Sequence, residues 1–373
     1  MKSGSQTYFK NLDATRVLAF LHAFLVHAIV TSNPAIESSY PYYWFNVLLK
    51  SAYSGLDYFF ILSSFLITWL ALEEHEMTGR FRADLFLVRR SLRIWPLYFL
   101  LVGLIYGAVG FFSSEFSISP LPPIQVFLLF YSNFWMINHG QEFLFMLVFF
   151  WSIAVEEQFY LFWAFVLCFF KKNLSWICFL MIAISLIFRA THLNNNPALF
   201  FSTFGILGNF GLGALGAIAG FRKNRIYFWI KTMSKTHILL VYLGLIFLTV
   251  LYFPLFVNPV GITIEKIVFG LFFVFIILEQ CFAENSLFKL GKSRFINYLG
   301  RLALGPYCYH GVILTVAIPL LKRAGLTNDW VTVFFLNPIF ILAVTFGVSI
   351  LSYELYEKHI HRLRRFFYPK QIN

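Results

Sequence analysis

The chain has 373 residues, 59% hydrophobic and only 12% charged, with a mean hydropathy of +0.73. A soluble domain of this size carries about 25% charge, so the composition excludes a soluble globular protein and indicates a polytopic membrane bundle. The net charge of +12 does not point to nucleic acid, because an excess of Lys and Arg on cytoplasmic loops explains it.

Runs of about 20 apolar residues predict ten spans in chain order: residues 12–31, 51–72, 94–112, 152–170, 174–190, 200–221, 236–254, 262–281, 302–321 and 332–352. The expected fold class is therefore all-α: a polytopic membrane helix bundle of about ten transmembrane helices. The whole chain, 1–373, is expected to be one transmembrane domain with no appended soluble domain. The first apolar run is too long for a cleavable signal peptide.

Orientation follows from the loops. With the N-terminus cytoplasmic, the alternating inside segments take all but five of the 29 Lys and Arg residues. The remainder is Lys50, Arg189, Lys266, Lys322 and Arg323. This bias predicts that both termini are cytoplasmic; the expected location is the inner (cytoplasmic) membrane, multi-pass.

The first span carries Asp13, Arg16, His22 and His27. Ionisable groups in hydrocarbon are costly and usually serve a function. Arg16 and His27 are eleven residues apart, so they share a helix face about 16 Å apart along the axis, whereas His22 faces elsewhere. In the second span Asp57 lies near the outer end. The outer segment 113–150 lacks Lys and Arg, and Pro120, Pro122 and Pro123 break any long helix there. Residues 124–135 are apolar but too short to span.

Glu156 and Glu157 open the fourth span. If that span starts at residue 152, the two lie at the depth of His27 and Asp57, roughly 6–9 Å below the outer boundary. A His with a neighbouring carboxylate is what a general base needs. If the helix starts near residue 143, Glu156 moves toward mid-membrane and the coincidence weakens. The competing reading is that each group only joins helices by hydrogen bonds.

At the cytoplasmic face, residues 89–96 read Arg-Arg-Ser-Leu-Arg-Ile-Trp-Pro. On a helical turn Arg90 and Arg93 share a face and suit a phosphate-bearing ligand. The same cluster also reads as a topogenic signal. The sixth span is rich in glycine, and its Gly216-xxx-Gly220 pair suits close helix packing. Cys168, Cys178, Cys281 and Cys308 form no recognisable disulfide or zinc pattern. His310, in Gly-Pro-Tyr-Cys-Tyr-His, reads alone as a packing or hydrogen-bonded residue. The basic stretch 352–365 is expected at the cytoplasmic headgroups.

Taken together, these stretches resemble the acyltransferase-3 family of integral-membrane O-acyltransferases. The resemblance rests on Leu-Asp-Ala-Thr-Arg…His (12–27), Gly-Leu-Asp-Tyr-Phe-Phe-Ile-Leu-Ser-Ser-Phe-Leu-Ile-Thr (55–68), Arg90-Ser-Leu-Arg93, Trp-Ser-Ile-Ala-Val-Glu-Glu-Gln-Phe-Tyr (151–160), Gly305, Tyr307 and His310, and Ser-Tyr…Glu-Lys (352–358). Ser64 stands where the family usually has Gly. Ala303 and Leu304 replace Ser and Tyr of its late motif.

The resemblance implies that His27 is the essential His of acyl transfer, with Arg16 its partner. It implies that Arg90 and Arg93 hold the phosphates of acyl-CoA, and that Glu156 and Glu157 line the active site; Asp57 joins this set as a catalytic candidate on the depth comparison alone. The expected reaction moves an acyl group, acetyl in the simplest case, from cytosolic acyl-CoA to a hydroxyl of an exported carbohydrate or lipid-linked glycan. No metal and no nucleic acid are expected to take part. The alternative is a proton-coupled transporter using the same intramembrane His and carboxylates.

Overall fold

The computed structural model describes residues 7–50, 54–112, 121–141 and 145–368. Parts of the predicted outer segment (113–120 and 142–144, with Pro120) and the first residues of the second predicted span (51–53) lie outside the described residues. So do Lys2 and Lys370 of the charge count.

Each predicted span corresponds to one long helix. They are α1 (Lys10–Ala28), α2 (Ser54–Thr78), α3 (Ala83–Phe112), α4 (Phe150–Phe169), α5 (Leu174–Thr191), α6 (Thr203–Phe221), α7 (Lys235–Val250), α8 (Pro259–Phe282), α9 (Leu304–Arg323) and α10 (Asn337–Ser352). Among the described residues, eight helices are long and apolar enough to cross a membrane. A ninth is added if Arg225–Thr232 and α7, bent by 103°, form one span. The first predicted span is not among them. α1 has 19 residues, but its Asp, Arg and two His lower its mean hydropathy. The protein is an all-α, multi-pass membrane protein.

Side-chain contacts fix the helix directions. At its start, Asn11 of α1 donates to Gln280 O at the end of α8, and Thr7 N donates to Glu73 near the end of α2. At the other end, Ser32 N donates to Thr327 O beyond α9. So α1 runs antiparallel to α2 and α8 and parallel to α9. The two ends of the described chain lie at the same end of the bundle. Arg89 of α3 donates to Phe367 O and pairs with Glu74, the neighbour of Glu73.

α6 is the central strut, buried along nearly its whole length between α2, α5 and α8. Its glycines let backbones meet. A Cβ on Gly211 would stand 2.8 Å from Cys178 O of α5, and one on Gly213 would overlap Ile61 O of α2. The predicted Gly216–Gly220 pair faces side chains instead, Val274 and Phe282 of α8. Ser64, the departure from the family's glycine, is buried and donates a 2.5 Å hydrogen bond to Phe210 O of α6. The hydroxyl ties the two helices together.

The fourth span starts earlier than residue 152. A short helix, Phe145–Val148, runs into α4, and the two together form a membrane-length element, Phe145–Phe169. Glu156 is thereby carried deeper into the bundle. Before it, Gln125–Leu128 and Ser132–His139 are short helices. Gln158 of α4 ties this region to the bundle by donating to Phe130 O and Asn133 Oδ1.

Candidate active site

Two cavities take in all of the predicted residues but Glu157. The first, about 100 Å³, lies toward the chain-terminal end and is lined by Arg16, Arg90, Arg93, Ser63, Glu156, Tyr160, Ser152 and Tyr307. α3 carries Arg90 and Arg93 three residues apart, so both reach the same face, and Arg16 enters from α1. Arg16 pairs with Asp13 one turn earlier at 2.5 Å. Arg90 lies over the rings of Phe86 and Tyr160, 5.6 and 5.5 Å from their centroids. Neither Arg90 nor Arg93 has an ion pair among the described residues. Glu156 accepts hydrogen bonds from the Ser63 and Tyr160 hydroxyls. The result is a cationic pocket whose one unpaired carboxylate is tied up by neutral donors.

The second cavity, about 580 Å³, is lined by His27, Asp57, Arg189, Glu265, Lys266, Tyr252, Trp151 and Phe200, among others. Its charges are matched. Lys266 donates to both oxygens of Asp57 at 2.8 and 3.0 Å, and Asn209 adds a third bond at 2.7 Å. Arg189 pairs with Glu265 at 2.6 Å, and Tyr252 donates to the other Glu265 oxygen at 2.7 Å. Arg189 is 1% exposed and Asp57 3%. Such burial is tolerable only because every charge has its partner.

The structure thus groups the predicted residues differently from the depth argument. His27 and Asp57 share a cavity, but Asp57 is bound to Lys266 and Asn209, not to the imidazole. Glu156 belongs with the arginines, because its helix begins earlier. Glu157 turns away from Glu156, as adjacent helical residues sit about 100° apart. It accepts a 3.1 Å bond from Trp95 Nε1 of α3, and its other oxygen has no partner among the described residues.

The ring neighbours of His27 are Phe145, Phe149 and His310, with centroids 5.7, 5.0 and 6.3 Å away. No hydrogen bond engages its nitrogens among the described residues. His310 is buried and its Nδ1 donates to Tyr307 O. A carbonyl can only accept, so Nδ1 carries the proton and Nε2 is left as the acceptor of a neutral ring. Sequence reasoning set His310 aside as a packing residue. It also counted Arg189 and Lys266 as outer charges and passed over Glu265 and Asn209. The available signal was that Arg189 and Lys266 fall within or beside apolar spans, where a cation needs a carboxylate, and Asp57 was in view.

A thin wall separates the cavities. Leu56 lines both. Beside it, the Tyr307 hydroxyl shares a 2.5 Å hydrogen bond with Ser152 Oγ and donates to Phe149 O at 3.0 Å. Phe149 is the residue on which both His27 and His310 rest.

The acyltransferase-3 family model, described as an acyltransferase domain, matches residues 9–354. The chain belongs to the acyltransferase-3 family. It is similar to the peptidoglycan O-acetyltransferase OatA of Listeria monocytogenes, 26% identical over 404 residues, covering 96% of this chain and 56% of that protein. It is also similar to the O-acetyltransferase OatA of Staphylococcus aureus (strain NCTC 8325 / PS 47), 27% identical over 195 residues, which cover 50% of this chain and 30% of that one. A protein of the COL strain, named as a candidate O-acetyltransferase, is 32% identical over 165 residues, 43% of this chain and 25% of its own length. The chain thus spans between a quarter and just over half of these relatives. No solved structure matches it. In this acyltransferase-3 chain the first-helix Arg and His line separate cavities, and of the late-motif residues Tyr307 lines the first and His310 packs against Phe149 of the second.

Proposed function

We propose that this acyltransferase-3 protein transfers an acetyl group from cytosolic acetyl-CoA to a hydroxyl of an exported glycan, from within the inner membrane with both termini cytoplasmic. The observation that carries this reading is the pairing of a pocket of net positive charge, in which Arg90 and Arg93 have no ion pair among the described residues, with a larger, charge-balanced cavity, His27 facing the second. The arginines suit the phosphates of a CoA donor. Matched ion pairs, Tyr252 and Trp151 suit an uncharged, hydroxyl-rich acceptor, because a net charge in the cavity would favour an ionic ligand instead. The names of the relatives, O-acetyltransferases and one acting on peptidoglycan, agree with an envelope glycan as the acceptor class.

In the proposed step the donor's arm crosses the wall at Leu56 and Tyr307. His27 takes the proton of the acceptor hydroxyl as its oxygen attacks the thioester carbonyl. The carbon–sulfur bond then breaks, and the CoA thiolate leaves with the proton returned by the imidazolium. His310, one ring away with its Nδ1 proton fixed by Tyr307, orients Phe149 and the face that His27 presents. A transporter reading finds less support: a proton relay would pass from His27 to a carboxylate, and Asp57 is committed to Lys266.

Purified protein in lipid nanodiscs, supplied with acetyl-CoA and a short glycan acceptor, is expected to release CoA and acetylate the glycan. His27→Ala should lower that rate by about 10²–10⁴-fold, the usual worth of general acid–base catalysis, with unchanged thermal stability. Near-normal transfer by a folded His27→Ala protein would sink the assignment.

A further inference from the structure

Beyond the arginine pocket lies a second small cavity, about 100 Å³, that shares Arg90 and Arg93 with it. Its other polar walls are Arg89, Arg364 and Tyr368. Arg364 comes from the segment after α10, so a distant part of the chain closes this chamber.

The charges here are not matched as they are in the outer cavity. Arg89 is neutralised by Glu74 at 2.9 Å. Arg364 spends its Nε on His361 O at 3.2 Å, and its terminal nitrogens have no hydrogen bond or ion pair among the described residues. Arg90 and Arg93 likewise lack a carboxylate partner there. Arg364 lies close enough to both to feel their repulsion. What holds the C-terminal segment against α3 is mostly neutral: Arg89 donates to Phe367 O at 2.7 Å, and His361 Nε2 donates to Arg93 O at 3.3 Å. Backbone carbonyls, not acidic side chains, therefore bring a third free guanidinium beside two others. Converging like charges are unfavourable unless an anion joins them, and guanidinium forks match phosphate oxygens in pairs.

We infer that Arg364 completes a phosphate site with Arg90 and Arg93, making the C-terminal segment one wall of the donor's entrance. The inference rests on the donor reading above and deepens it. The inner pocket then takes the slender arm, and the chamber outside it takes the 3′-phosphate of the bulky end. The same chemistry is offered by two sources, the phosphorylated nucleotide of acyl-CoA and the phosphodiester of an anionic lipid.

The test uses the full chain in nanodiscs of phosphatidylcholine, alone or with phosphatidylglycerol. Thioester turnover is followed with acetyl-CoA and with acetyl-3′-dephospho-CoA. Arg364→Gln is expected to raise KM for acetyl-CoA about tenfold, the effect of losing one charge-assisted contact, and to show in KM rather than kcat. KM for the dephospho donor should change far less, and Arg364→Lys should recover most of the loss. If KM for acetyl-CoA stays put while Arg364→Gln lowers the phosphatidylglycerol retained by the protein, the phosphate site stands with lipid as its source. No change in either measurement overturns the inference. Equal loss with both donors in the absence of lipid loss also overturns it, since that is a general disturbance of the fold. A wild-type protein that binds no acetyl-CoA would instead sink the donor reading, leaving the lipid measurement to decide on Arg364.

Discussion

Asp57 and Lys266 illustrate at the residue level how a buried charge is tolerated. Each is almost fully enclosed, and each is the other's main partner. Removing one member of such a pair costs about 3–5 kcal/mol, since the survivor is left charged and unpaired, whereas replacing both by apolar groups of like size is close to neutral. Asp57→Asn alone should therefore lower the thermal midpoint clearly. The double variant Asp57→Leu, Lys266→Met should regain most of it, as read by loss of monodisperse protein on heating. If the double variant is no more stable than the single one, the pair is not a structural clamp. If it regains stability and keeps acyl transfer, Asp57 positions helices and has no part in the chemistry. The sequence made Asp57 visible as an intramembrane carboxylate. It did not show the partner, because a charge count along loops places Lys266 by its position in the chain, while pairing depends on which helices touch. The same limit hid His310 from His27: 283 positions in the chain separate them, yet their rings lie 6.3 Å apart.

Legibility is higher for the helices. Hydropathy located all ten long helices, since a span must be apolar over a length set by the bilayer. Of the two starts it left open for the fourth, the structure takes the earlier, at Phe145, and that shift of about two turns places Glu156 with the arginines and not with His27. α6 shows what glycine does at this scale. At Gly213 the α2 backbone occupies the place of a side chain, so Gly213→Ala should force the helices apart and destabilise the protein by about 1–3 kcal/mol, as overpacking does. Gly347 of α10 is the control, for a Cβ there meets nothing within 4 Å. Gly347→Ala should be neutral or slightly stabilising because alanine favours helix. Equal thermal midpoints for the two variants would show that α2 and α6 do not depend on this close approach.

At the scale of the whole molecule, the bundle has a polarity: unpaired arginines at the end that holds both ends of the described chain, and matched ion pairs in the second cavity. The first helix joins the two, with Arg16 in one cavity and His27 in the other, which is what the face-sharing spacing along that helix implied. The sequence could not show that the path between them is closed. Leu56, which lines both cavities, and Tyr307 bonded to Phe149 stand between them, so under the proposed mechanism they set the size of what crosses. An acetyl group is a small acyl cargo, and each added methylene must find room against Leu56. A hydrophobic site discriminates by about 1–3 kcal/mol per methylene. Leu56→Ala removes side-chain bulk from both sides of the wall at once. It should therefore raise kcat/KM for butyryl-CoA relative to acetyl-CoA by at least tenfold, measured as CoA release in nanodiscs with a glycan acceptor present. An unchanged ratio in an active Leu56→Ala protein would mean that acyl length is read elsewhere and that the donor does not cross at this wall.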